Sequence, residues 1–165
     1  MNQANQKNKI ILALGSNLGD RAKFLEEAIF ELEKKLLLKN IKQSRIIENK
    51  AMLLPNSPKD WDIDFLNIVI SGEIELSKFN PGQILQTIKK IEKNLGRKDR
   101  GKWSPREIDI DILAIDDLQI NINDKLVIPH QGLFERDFFI DGFKEIELEL
   151  FLKLRYFITC KSRDQ

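Results

Sequence analysis

Apolar residues first gather at 10–14, Ile10-Ile11-Leu12-Ala13-Leu14, and stop at Gly15-Ser16-Asn17-Leu18-Gly19-Asp20. A short apolar run closed by turn residues predicts a buried strand over 9–14 feeding a tight loop. The period then changes. Phe24, Leu25, Ala28, Ile29, Leu32 and Leu36 recur at helical spacing behind Asp20, with Glu26, Glu27, Lys34 and Lys35 on the wet face, which predicts an amphipathic helix capped by Asp20. Residues 41–50 and 65–71 predict strands, separated by a long loop over 54–64 where Pro55, Asn56, Ser57 and Pro58 interrupt regular structure.

Asn80-Pro81 starts a second helix, with asparagine as cap and proline at the first helical position. Ile84, Ile88, Ile91 and Leu95 mark its buried face and Gly96 ends it. A polar loop over 97–106 leads to a strand over 108–115, a turn at Asp116-Asp117, and short strand segments over 118–122 and 126–128. The order β-α-β-β-α-β predicts an α+β fold, a ferredoxin-like α/β sandwich with an antiparallel sheet, both helices on one face, and extra short C-terminal elements. Residues 148–165 fit this pattern poorly and read as an edge element or the start of a linker. The polar residues 1–8 are expected to be flexible.

Bulk properties narrow the function. At 165 residues, 42% hydrophobic and 32% charged, the whole of 1–165 reads as a single domain with a real core. The 27 basic and 26 acidic residues nearly cancel, so no global field recruits nucleic acid or membrane. A lone cysteine, Cys160, excludes an internal disulfide and a cysteine-based zinc cluster. The apolar run at 10–14 is too short for a signal sequence or a membrane span, and the cytoplasm is the simplest location.

Charge is concentrated locally. Residues 97–106 hold Arg97, Lys98, Arg100, Lys102 and Arg106 against Asp99 alone, and run into Ile108-Asp109-Ile110-Asp111-Ile112-Leu113. Because strand side chains alternate, Asp109 and Asp111 project from one face, and Leu113 and Ile115 continue that face as apolar positions. The two carboxylates are thereby expected at the mouth of a pocket, where a divalent cation would relieve their repulsion. Magnesium suits an all-oxygen site. Carboxylates alternating on the wet face of an antiparallel sheet are common, so this pair carries meaning only beside the cationic loop. No Gly-x-x-x-x-Gly-Lys-Ser/Thr sequence is present, and guanidinium groups are the remaining candidates to neutralise a polyphosphate. Trp103 reads equally as a packing staple or as a stacking surface. His130, behind Pro129, reads on its own as a surface turn.

Taken together, Leu14-Gly15-Ser16-Asn17-Leu18-Gly19-Asp20, Phe65-Leu66-Asn67, Ile91-Glu92 with Gly96-Arg97, the stretch from Trp103 through Ser104-Pro105-Arg106-Glu107 to Leu113, and Pro129-His130 followed by Arg136 and Phe138 resemble the 6-hydroxymethyl-7,8-dihydropterin pyrophosphokinase family of folate biosynthesis. The resemblance implies transfer of a diphosphate from ATP to the hydroxymethyl oxygen of the pterin, with release of AMP. It implies that Asp109 and Asp111 hold two magnesium ions and share the catalytic role with Arg97 and Arg106. It places Arg97, Arg106, His130 and Arg136 on the nucleotide, mostly its phosphates. Glu92 falls on the nucleoside side, Ile112 meets adenine through its backbone, and Trp103 closes over the site. Phe65 and Phe138 would sandwich the pterin, and Asn67 would read its hydrogen-bonding edge. The chain departs from the pattern where Met52-Leu53-Leu54-Pro55 stands for a Thr-Pro-Pro segment, Gln131 for a tyrosine and Lys89 for a glutamine.

By the same resemblance the partners are ATP and the pterin, with no nucleic acid and no membrane, and with fusion to or adjacency with another folate-pathway enzyme. A palm-like magnesium-dependent nucleotidyltransferase is the rival enzyme, but no third carboxylate in a matching strand and no broad basic surface support it. A ferredoxin-like RNA-binding module would need aromatics on its two central strands, which here read Ile-Ile-Leu-Ala-Leu and Ile-Asp-Ile-Asp-Ile.

Overall fold

The computed structural model describes residues 7–161; residues 1–6 and 162–165, parts of the two terminal segments singled out above, lie outside it. The chain runs β1 (Lys7–Ser16), α1 (Arg21–Leu36), β2 (Lys39–Gln43), β3 (Ile47–Asn49), β4 (Phe65–Glu75), α2 (Pro81–Asn94), β5 (Asp109–Ile115), β6 (Ile120–Ile122), β7 (Leu126–Ile128) and α3 (Asp137–Lys161). The strands form an antiparallel sheet in the order β2-β4-β1-β5, with β3 also pairing with β4, while β6 and β7 form a separate hairpin. This is the ferredoxin-like plan expected from the element order.

The two main helices start where their caps dictate. Asp20 accepts from the Lys23 N–H at 3.2 Å, and Asn80 and Gln83 close a reciprocal capping box at 2.9 Å in each direction. Both helices cover one sheet face. Leu25, Leu32 and Leu36 of α1 and Ile84, Ile88 and Ile91 of α2 bury against Ile10, Leu12, Leu14, Ile68, Ile70, Ile110 and Ile112.

The opposite face is covered by α3, which the pattern did not reveal. Ile11, Ala13, Val69, Leu113 and Ala114 pack there against Phe139, Phe143, Phe151 and Leu154. Residues 148–161 are therefore neither edge element nor linker: they continue α3 past a kink at Glu147 (φ −144°, ψ 60°). Lys9 and Lys42 hold the Glu147 carboxylate at 2.7 and 3.0 Å, and Ser71 donates to it at 3.0 Å. Gly142 lets the helix sit directly on β4, because a Cβ there would fall 2.4 Å from Val69.

Local departures from the expected strands have local causes. The strand expected over 41–50 breaks into β2 and β3 at Ser44, whose hydroxyl accepts the Val69 N–H at 3.0 Å in place of a backbone carbonyl. β1 begins at Lys7, so the last two residues of the expected flexible segment are ordered, Lys7 opposite Glu75 and Asn8 opposite Ile74. In β5 the partners step from Leu12↔Ile112 to Ile11↔Ala114, leaving Leu113 as an extra residue. That bulge reverses the alternation. Leu113 continues the face of Asp109 and Asp111 as expected, but Ile115 turns to the α1/α2 side.

Candidate active site

Helix α3 covers only part of its face. Beyond its first turn, the sheet presents Ala13 and Gly15 of β1, Phe65 and Asn67 of β4, and Asp109 and Asp111 of β5 at the floor of a cleft of about 870 Å³. Register explains the convergence. Gly15 stands opposite Asn67 on one side and opposite Asp109 on the other, while Ala13 stands opposite Asp111. Two interstrand spacings, roughly 10 Å, therefore separate the amide from the carboxylates, with only small residues between them.

The wall beyond β5 is cationic. Arg97 follows the C-terminal end of α2, and its Nη1 reaches Asp109 Oδ1 at 2.5 Å and Glu92 Oε1 at 2.6 Å. Arg106 donates to Asp109 Oδ2 at 2.9 Å. The end of this loop is sewn to β1 by Asn17, which accepts from the Arg106 N–H at 2.8 Å and donates its own N–H to the Arg106 carbonyl at 3.2 Å. Asn17 also donates to the Ile63 carbonyl at 3.0 Å, so the Gly-Ser-Asn turn ties the cationic loop to the loop before β4. Glu92 is a buried junction: besides Arg97 it takes Lys89 at 2.9 Å and the Ile110 N–H at 2.8 Å.

Burial pushes Asp109 up, but the guanidiniums of Arg106 and Arg97 outweigh it and hold the carboxyl below its ordinary range. Asp111 shifts the other way. Burial, then the neighbouring charge of Asp109, push it up to about 6, only partly offset by Arg136, whose Nη1 lies 3.6 Å away. Glu92 is likewise raised by burial against the pull of Lys89 and Arg97. Burial and then Arg136 push His130 down to about 4, so it is neutral near pH 7. Its Nδ1 accepts the Gly132 N–H at 3.0 Å, which leaves the proton on Nε2, 3.9 Å from Asp111. The β5 bulge positions this residue, because the His130 N–H donates to the freed Leu113 carbonyl at 2.9 Å. The lone histidine is thus drawn beside the carboxylates.

Most residues singled out from the sequence meet here. Phe65, Asn67, Glu92, Arg97, Trp103, Arg106, Asp109, Asp111, Arg136 and Phe138 line the cleft. Trp103 adopts a left-handed backbone (φ 67°), and its buried indole N–H has no acceptor among the described residues. Phe138 packs edge-on against Phe139 with ring centroids 4.5 Å apart. Ile112 is not part of the lining: its side chain is in the core, and only the backbone of edge strand β5 is open to a ligand. Arg100 lines the cleft too, yet its guanidinium forks onto Glu107 at 2.6 and 3.0 Å. Ala13, Gly15, Asn49 and Met52 also line the cleft and were given no role from the sequence, although Gly15 lies in a stretch that carries the resemblance and Met52 in one that departs from it. For Gly15 the signal was its place between an apolar strand and a turn; for Asn49 there was none, since its neighbours are set by pairing across the sheet.

The donor set fits a hard divalent cation. Two carboxylates share one face, and burial first and the charge of Asp109 second disfavour an ionised Asp111, a cost that a cation removes. Among the described residues no cluster of three or more His, Cys, Asp and Glu side chains surrounds that point. Other ligands would have to come from substrate oxygens or water, the usual habit of magnesium.

The chain is similar to known proteins in sequence and in fold. Residues 11–148 match the model of the family described as 7,8-dihydro-6-hydroxymethylpterin-pyrophosphokinase (HPPK). The 2-amino-4-hydroxy-6-hydroxymethyldihydropteridine pyrophosphokinase of Aquifex aeolicus is 43% identical over 138 residues, 84% of this chain and 79% of that protein. The folate synthesis bifunctional protein of Chlamydia muridarum is 42% identical over 134 residues, covering 81% of this chain but only 29% of that longer protein. Among solved structures, a Plasmodium falciparum HPPK-DHPS with pterin and p-hydrobenzoate shares the fold, with a TM-score of 0.62 at 15% identity, covering 98% of this chain and 46% of that one. By the family match and by the Aquifex relative, this chain belongs to the 7,8-dihydro-6-hydroxymethylpterin-pyrophosphokinase family.

Proposed function

We propose that the chain transfers a diphosphate from ATP to the hydroxymethyl group of 6-hydroxymethyl-7,8-dihydropterin, giving AMP and the pterin diphosphate, a step of folate biosynthesis. The observation that carries this reading is the register at Gly15. One glycine separates an amide with flanking aromatics from a pair of carboxylates ringed by arginines, so a flat heterocycle and a polyphosphate lie side by side on one floor.

In this reading Phe65 and Phe138 stack on the pterin and Asn67 pairs with its edge, which fixes the hydroxymethyl oxygen toward the carboxylate half. Asp109 and Asp111 hold magnesium, two ions by the family resemblance. When bound, the metal neutralises and orients the triphosphate. Arg97 and Arg106 leave Asp109 for phosphate oxygens as the nucleotide binds, with Arg97 still tethered by Glu92. Arg136 and the Nε2–H of neutral His130 approach from the α3 side, donating to oxygens that gain charge in the transition state. Glu92 and the backbone of Ile112 face the nucleoside, and Trp103 closes over the bound pair.

The chain acts here as one pyrophosphokinase domain, with α3 as the layer on the face of the sheet opposite α1 and α2. No helix among the described residues is long and apolar enough to cross a membrane. Small polar substrates suit the cytoplasm, and the bifunctional relatives support work beside another folate-pathway enzyme. Calorimetry separates the two halves of the floor. Asn67→Ala should weaken the pterin about tenfold or more with unchanged affinity for a nonhydrolysable ATP analogue, as expected for a buried amide partner. Asp109→Ala should weaken the magnesium nucleotide; equal effects of both variants on both ligands would contradict the division.

A further inference from the structure

Asn67 can read a heterocycle only if its amide is held one way round, since oxygen and nitrogen exchange places on a half turn. The structure supplies the holder. Asn49, at the end of β3 and opposite Phe65, accepts a hydrogen bond on its Oδ1 from Asn67 Nδ2. Its own Nδ2 donates to the Lys50 carbonyl at 2.9 Å. A backbone carbonyl can only accept, so Lys50 fixes which end of the Asn49 amide is nitrogen, and Asn49 in turn fixes which end of Asn67 is nitrogen. The Ile47 carbonyl also faces Asn67 Nδ2, but at 3.5 Å it lies at the limit of a hydrogen bond, so Asn49 is the stronger restraint.

Both protons of the Asn67 amide are thereby directed into the protein. Its Oδ1 lies over Gly15, 2.6 Å from where a Cβ would stand, on the lining of the cleft, and no side chain or backbone N–H among the described residues donates to it. We infer that Asn49 is a positioning residue that makes Asn67 an acceptor toward the ligand, and that this relay selects a heterocycle presenting N–H donors at its edge. The inference deepens the pterin reading above and rests on it: the amino-pyrimidinone edge of a pterin carries such donors, whereas its 2-oxo counterpart, the lumazine, replaces the amino donor with an acceptor.

The test compares the binding of 6-hydroxymethyl-7,8-dihydropterin with that of the corresponding dihydrolumazine, by calorimetry with magnesium and a nonhydrolysable ATP analogue. The parent chain should prefer the pterin, and Asn67→Ala should abolish the preference. Asn49→Leu frees the Asn67 amide to turn, and should reduce the pterin-to-lumazine ratio about tenfold, the scale of one neutral hydrogen bond, while affinity for the ATP analogue stays at the parent value. Asn49→Asp keeps an acceptor for Asn67 and should retain the preference, a rescue that a merely structural role would not give. Should Asn49→Leu weaken both heterocycles equally or keep the parent ratio while Asn67→Ala loses it, the relay is overturned and the pterin pocket stands. Should Asn67→Ala keep the parent ratio, the pterin reading itself falls and the relay falls with it.

Discussion

Asp111→Asn should make the ligand-free protein more stable at neutral pH while removing its activity. The carboxyl is pushed up to about 6 by burial and by Asp109. Its ordinary value is 3.8. Each pH unit of difference between folded and unfolded chains is worth about 1.4 kcal/mol, so a fully ionised Asp111 opposes folding by up to about 3 kcal/mol. The side chain is 29% exposed, which leaves about 1 to 2 kcal/mol once solvent screening is allowed for. The attraction of Arg136 at 3.6 Å is already contained in that upward shift, so the variant gains the whole of this amount.

The sign follows from the raised titration. The folded state holds its proton longer than the unfolded state, so the penalty is absent below about pH 4, grows between about 4 and 6, and is complete above 6. The variant should therefore melt about 2 to 8 °C higher than the parent at pH 8, and at the same temperature at pH 3.5. Scanning calorimetry without magnesium or nucleotide reads this directly. Adding magnesium should stabilise the parent and close the gap, because the cation takes over the relief that asparagine supplies. An unchanged or lower melting temperature at pH 8, or an increase that persists at pH 3.5, would refute the claim that burial and the charge of Asp109 make an ionised Asp111 costly here.

Three further outcomes follow from the same geometry. Arg106→Ala should lower kcat about a hundredfold, the scale of losing one preorganised charge-stabilising donor, with the fold intact by circular dichroism; a change in KM alone would show that the residue only binds. Gly15→Ala places a methyl group 2.6 Å from Asn67 Oδ1 and should weaken the pterin in calorimetry far more than the ATP analogue. Gly142→Ala places one 2.4 Å from Val69 and should lower stability in urea by about 1 to 3 kcal/mol, the cost of overpacking, without altering the KM for either substrate.

What the sequence revealed tracks what is local. Asp20 and Asn80-Pro81 sit beside the helices they start, and the Trp103 to Leu113 stretch holds its arginine and both aspartates within a few residues, so period and order expose them. α3 escaped because Glu145-Ile146-Glu147-Leu148-Glu149-Leu150 alternates with a period of two, although all of these but Glu147, at the kink, are helical and the helix buries Phe143, Phe151 and Leu154 against the sheet. The β5 bulge and the Ser44 break depend on partners across the sheet, Ile11 and Leu12 in one case and Val69 in the other. Asn49 was silent for the same reason. His130 looked like a turn residue because the carbonyl that draws it in, that of Leu113, exists as a free acceptor only through the bulge.

The most direct test of the central claim is product analysis after the purified chain meets ATP, magnesium and 6-hydroxymethyl-7,8-dihydropterin. AMP and the pterin diphosphate should form in equal amounts, with no AMP when the pterin is left out and none from Asp109→Ala under the same conditions. Formation of ADP in place of AMP, or release of AMP at the same rate without the pterin, would contradict the claim.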